Sequence, residues 1–173
     1  MRQEQLVNPP FAATMARYNQ WQNRSLVAAA SSLTDQARQA PRGAFFGSIA
    51  ATFNHLYWGD AMWMHRFSGS EKPAGSIKDS TGLFAEWAVF KQARADLDAA
   101  ILTFADSVSE EWLAGELTWL SSAAQRQFSR PRALLVMHFF NHQTHHRGQI
   151  HAMLTAAGAR PDDTDLMLAP WLE

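Results

Sequence analysis

The sequence predicts an all-α fold, a four-helix bundle forming a single domain over residues 1–173. Two observations point there. Apolar residues recur at three- and four-residue spacing along four long stretches, with prolines and glycines punctuating them. The composition, 47% apolar and only 18% charged, suits a chain that buries a core and excludes disorder. A chain of 173 residues is enough for one such core.

The first helix is expected to open at Pro9-Pro10, where proline suits the first turn, and to end near Leu33. Phe11, Met15, Tyr18, Trp21, Leu26 and Ala29 supply its apolar stripe. Arg38 to Gly43 reads as a linker around Pro41. A second helix is expected from about Gly43 to Phe67, its inner face marked by Phe45, Ile49, Phe53, Leu56, Asp60 and Trp63. His65 falls near its end, where an exposed imidazole suits the helix dipole.

Ser68 to Gly75 is a loop by composition. The third helix is expected from Ser80 or Thr81 to about Ala105, and Ser107-Val-Ser-Glu110 is a capping box that announces a further short turn. From Glu116 to Ser129 the helical period is lost, and an irregular β-hairpin or a loop fits equally. The fourth helix is expected from Pro131 to Ala157-Gly158, with glycine as its stop signal. The tail from Asp162 onward, with Leu166, Met167, Leu168, Trp171 and Leu172, is expected to pack on the bundle or at an interface. The tryptophans read as core or interface.

Several functions are disfavoured at once. A formal charge of −1 provides no field for a nucleic-acid backbone. The N-terminus has no apolar signal core, and no apolar run reaches the roughly 18–20 residues that span a bilayer. The expectation is a cytoplasmic protein with no membrane or nucleic-acid partner. The absence of cysteine removes disulfides, cysteine metal sites and cysteine nucleophiles. Any metal must rest on His, Asp or Glu, and any thiol chemistry must borrow its thiol.

The chemistry on offer is concentrated in the fourth helix. His138, His142, His145 and His146, four of the seven histidines, lie within nine residues. Leu135, Phe139, His142, His146, Gln149 and Met153 follow a heptad seam, so two imidazoles occupy positions that normally hold Leu or Ile. A buried imidazole without a partner costs about 1–3 kcal/mol. Hydrogen bonding within the core is one solution. A shared metal ion is the other, since histidines four apart on a helix can reach the same ion. His142 with His146 is the pair favoured by the seam, while His138 and His145 flank it. The third ligand must come from another helix, and His55 is the histidine available at mid-helix depth. Three nitrogen ligands with open positions suit a catalytic zinc, nickel or iron centre. Asp60 or His145 could orient the ligands. Gly148 within the same helix costs about 1 kcal/mol against alanine and is expected to permit close packing or access.

Tyr18-Asn-Gln-Trp-Gln-Asn23, Gly43-Ala-Phe-Phe-Gly-Ser-Ile49, Asn54-His-Leu-Tyr-Trp-Gly-Asp60 and Asn141-His-Gln-Thr-His-His-Arg-Gly-Gln-Ile150, with Gly158-Ala-Arg-Pro161 near the end, resemble the DinB family over nearly the full length. The resemblance implies an up-down-down-up bundle, commonly a homodimer, with a divalent metal on His55, His142 and His146. Related YfiT-like and mycothiol-dependent proteins use low-molecular-weight thiols, which implies a thiol S-transferase acting on a small electrophile through Zn or Ni. Metal-dependent hydrolysis and a non-catalytic, stress-related metal-binding bundle are the alternatives.

Overall fold

The computed structural model describes residues 7–121 and 124–172. Helix α1 spans Pro9–Ser31; Asn8 caps it by accepting the Phe11 N–H at 2.9 Å. A short helix, α2, Asp35–Gln39, capped by Thr34, precedes the expected linker and takes in its first two residues. Its Arg38 reaches back to the carbonyls of Ala30 and Leu33, closing the exposed end of α1.

Helix α3 runs Ile49–Ser68 and begins later than the apolar spacing suggests. Gly43 and Gly47 take φ of +69° and +86°, and a bridge between Ala44 and Gly47 folds this segment into a turn. Phe45 is therefore 86% exposed and not on the inner face. Ser48 supplies the cap, accepting the Ala51 N–H at 3.1 Å.

The next long helix, α4, is Trp87–Ser107. Ser80–Gly82, expected as its start, forms a separate 3-10 turn packed on α3. The intervening chain is pinned by Asn54, whose side chain accepts the Phe84 N–H at 2.6 Å. The expected further turn forms as helix α5, Glu110–Ala114, but its cap is Ser109, which accepts the Trp112 N–H, and not Ser107 of the capping box. Of the two readings of the next segment, the hairpin is the one that forms. Strands β1, Glu116–Ser121, and β2, Arg126–Pro131, pair antiparallel, with Trp119 opposite Phe128. Helix α6, Arg132–Ala156, completes the long helices.

The described chain is thus mostly helical, with one small sheet. Helix α1 packs on α4 and α6, and α3 packs on the same two. Two apolar clusters fill the interior. One joins Ala12, Ala16, Phe67, Ile101, Val136 and Phe139; the other joins Leu26, Ala30, Phe53, Phe90, Ile150 and Leu154. Each fully buried side chain of this size contributes about 1.5–3 kcal/mol. The tail folds back on α1: Tyr18 donates to the Thr164 carbonyl, Gln22 to that of Asp163, and Trp171 meets Trp21 edge-on.

The core also holds a polar network contributed by all four long helices. Arg94 on α4 pairs with Asp60 on α3 at 2.7 Å and with Asp98, one turn along its own helix, at 2.8 Å. Asn19 and Asn23 on α1 donate to Asp98 at 3.2 and 2.8 Å. Arg147 on α6 donates to Asn19, and fully buried Gln143 faces Asp60. Two carboxylates and two guanidiniums balance formally. Burial still raises the Asp60 carboxyl to about 6 against the pull of Arg94, and lowers Arg147 to about 10.

Candidate metal centre

On α6 an imidazole and a network residue stand side by side twice, as His142-Gln143 and His146-Arg147. Successive helical residues are rotated by about 100°. When Gln143 and Arg147 enter the core, His142 and His146 are turned toward α3. The buried face of α6 is therefore centred one position beyond the heptad seam: Gln143 and Arg147 are buried, while Gln149 is half-buried. Helix α3 repeats the pattern, with Asp60 in the network and Gly59 facing His142.

His55, His142 and His146 each bring a ring nitrogen to within 4.8 Å of the others, and are the group of potential ligands among the described residues. The Nε2 atoms of His142 and His146 are 3.1 Å apart. Phe46, from the turn before α3, stacks on His55 with centroids 3.8 Å apart and also meets His146. The absence of a side chain at Gly59 makes room for His142: a Cβ there would stand 2.9 Å from its Cε1. Gly148, expected to serve packing or access, is exposed and would meet nothing within 4 Å.

Hydrogen bonds set the tautomers. The Ser80 hydroxyl donates to the Ile77 carbonyl, so its oxygen accepts from His55 Nδ1 at 2.9 Å. The Nε2 of His55 is then a bare lone pair. His146 Nδ1 donates to Gln149 Oε1 at 2.8 Å, and the Gln149 amide nitrogen donates to His145 at 3.2 Å. His146 Nε2 is likewise left without a proton and stands as the acceptor 3.1 Å from His142 Nε2. Burial lowers the His55 imidazole to about 4, helped by His146, and that of His142 to about 3, helped by the neighbouring histidines. His146 is lowered too, chiefly by burial. All three are neutral at pH 7, the form in which imidazole binds a metal. The donor set therefore fits a divalent ion.

The other predicted residues take lesser places. His145 is exposed; it meets the His146 ring edge-on and accepts from Gln149. Asp60 belongs to the network, not to the imidazoles. His138 lies one turn before His142, its ring edge-on to Trp63.

A cleft of about 580 Å³ opens beside the centre, with His55 and His142 in its wall. Trp58, Met62 and Trp63 of α3, Trp119 and Leu120 of the hairpin, and the loop before Ser80 form its sides. His65, expected at a solvated helix end, lies on its rim and donates to the Ser70 carbonyl at 2.7 Å. Sequence reasoning missed Ser80, Phe46 and Gly59. A glycine inside an otherwise apolar helix was the one visible signal. No described helix is long and apolar enough to cross a membrane.

The DinB family model matches residues 1–173. Protein DinB of Bacillus subtilis (strain 168) is 25% identical over 169 residues, covering 90% of this chain and 91% of that protein.

Proposed function

Because the chain belongs to the DinB family, we propose that it is a metal-dependent thiol S-transferase using an external low-molecular-weight thiol against a small electrophile. His55, His142 and His146 hold the divalent ion, Zn²⁺ or Ni²⁺. The observation that carries the reading is the triad of imidazoles at the wall of an open cleft, with the tautomers of His55 and His146 fixed by Ser80 and Gln149 so that Nε2 carries no proton. A bound ion supplies Lewis acidity and keeps a coordinated thiol deprotonated at neutral pH. The chain supplies the rest. Ser80 and Gln149 hold the imidazoles in register, Phe46 covers His55, and the tryptophan walls limit water around the reacting atoms. Sulfur–carbon bond formation expels the electrophile's leaving group with its electron pair. The sulfur comes from outside, since the chain has no cysteine.

The same reading takes the scaffold as an up-down-down-up four-helix bundle. The sorting of helix ends supports it: the start of α1 clusters with the ends of α3 and α4 and the start of α6. It takes the working form as a cytoplasmic homodimer, which size-exclusion chromatography with light scattering would check.

The test is metal analysis of protein purified without a histidine tag, followed by turnover of a generic electrophile with and without added thiol. One tightly held ion, lost in His142→Ala, and thiol-dependent turnover are expected. Metal uptake unchanged in His142→Ala would refute the centre. Uptake without thiol dependence would refute the transferase and leave a metal-binding bundle.

A further inference from the structure

The lining of the cleft is one-sided in charge. Arg66, Lys72 and Lys78 all contribute to it, and no aspartate or glutamate does. This is not an overflow of general basicity, because the whole chain has 15 Lys and Arg against 16 Asp and Glu. Arg66 is the most informative. Its guanidinium lies over Trp63 at 4.6 Å and over Trp119 at 5.5 Å, so a helix and a strand both hold it. Among the described residues it has no hydrogen-bond acceptor and no carboxylate partner, although it is half-buried. Burial alone pulls its pKa down, which is the sign of a cation kept without compensation. A guanidinium packed against two indole rings, with no acceptor of its own, leaves its N–H fork to be matched by a carboxylate.

We propose that the cleft selects small organic anions: the thiol or the electrophile it receives carries a carboxylate bound by Arg66 with Lys72 and Lys78, and an apolar chain lying on Trp63 and Trp119. This rests on the metal-centre reading for the position of the reactive end. Gly59 marks the level of His142, and Arg66 lies seven residues further along α3, about 10 Å at the helical rise. The side chain leans back over Trp63, which shortens that span. The favoured ligand thus separates sulfur or electrophilic carbon from carboxylate by several bonds. A cleft of this volume takes a molecule of that size.

The test compares 6-mercaptohexanoate, 6-mercaptohexanol and hexanoate by tryptophan fluorescence on the full metal-free chain, then on the chain loaded with Ni²⁺ alone, where thiolate-to-nickel absorption reports sulfur binding. The expected result is at least tenfold tighter binding of 6-mercaptohexanoate than of 6-mercaptohexanol, a preference that shrinks as salt rises. Arg66→Gln removes the preference and Arg66→Lys retains part of it, with nickel content unchanged. Lys72→Gln, on an exposed loop where folding is not at stake, weakens it several-fold. Equal binding of acid and alcohol to wild-type protein overturns the proposal, as does a preference indifferent to salt and to both positions. In the turnover assay, a carboxylated electrophile with a neutral thiol, set against the reverse pairing, tells which reactant carries the anion. Hexanoate binding without nickel uptake would sink the metal centre and spare the anion site; normal nickel uptake without acid preference would do the opposite.

Discussion

Replacing Gly59 with alanine separates the metal centre from the fold that carries it. The new methyl carbon would start 2.9 Å from Cε1 of His142, against 3.4–4 Å for ordinary contact, so the imidazole must retreat by about 0.5 Å or more. It is the movable end of a side chain, so the adjustment falls on the ring and not on the backbone. Alanine also gains about 1 kcal/mol of helix propensity over glycine. Any overpacking penalty, about 1–3 kcal/mol in a tight core, is therefore partly offset. The metal-free Gly59→Ala protein should unfold within about 2 kcal/mol of wild type. Metal binding has no such compensation, because the displaced nitrogen is a ligand. Misorienting a ligand typically costs about 10–100-fold in affinity. Chelator competition for Zn²⁺ and denaturant melts of the metal-free form give the two numbers. Unchanged zinc affinity would refute the role assigned to His142. So would a metal-free protein several kcal/mol weaker with affinity intact.

Ser80→Ala frees the His55 tautomer and should weaken metal binding by about 10–100-fold, read by the same competition. In the metal-free protein the site imidazoles sit below the unfolded value of 6.5, with His55 near 4 and His142 near 3. The unfolded chain then binds more protons, and their contribution to stability falls as pH drops from about 6.5 toward those values; His142→Gln should flatten the slope by up to about 1.4 kcal/mol per pH unit. A slope identical to wild type in melts from pH 7.5 to 4.5 would contradict the burial of His142. Asp98→Ala strips Arg94, Asn19 and Asn23 of a shared acceptor and should cost about 3–5 kcal/mol in denaturant unfolding. Gly148→Ala, in open space on the same helix, should gain about 1 kcal/mol and leave zinc affinity alone.

The long helices and the pairing of His142 with His146 were legible in the sequence, since both follow from spacing along single helices; His55 was reached only as the remaining mid-helix histidine and through the family resemblance. The network was not. Arg94 and Asp98, four apart, look like an ordinary surface pair. Only the placement of Asn19 and Asn23 on α1 against them makes the position buried, and that is a fact about two helices distant in sequence. Phe45 shows the opposite failure. Its four-residue spacing to Ile49 mimics a helix face, but the positive φ of Gly43 and Gly47 folds the chain into a turn and hands the useful contact to Phe46. Ser80 has the look of a helix cap because its neighbours are small and polar. It serves instead as the acceptor for His55, a role defined across space.

The alternation of imidazole and network residue along α6 carries one more consequence. Gln143 and Arg147 fix the rotation of the helix through contacts that involve no ion, so the three nitrogens stand assembled before anything is loaded. Folding then has no part in choosing the metal. A rigid cage of neutral nitrogens ranks divalent ions by their intrinsic affinity for imidazole, in which copper and nickel surpass iron and manganese and copper surpasses zinc. If the proposed centre binds an ion, the same polypeptide grown in differently supplemented media should emerge with different occupants and the same fold.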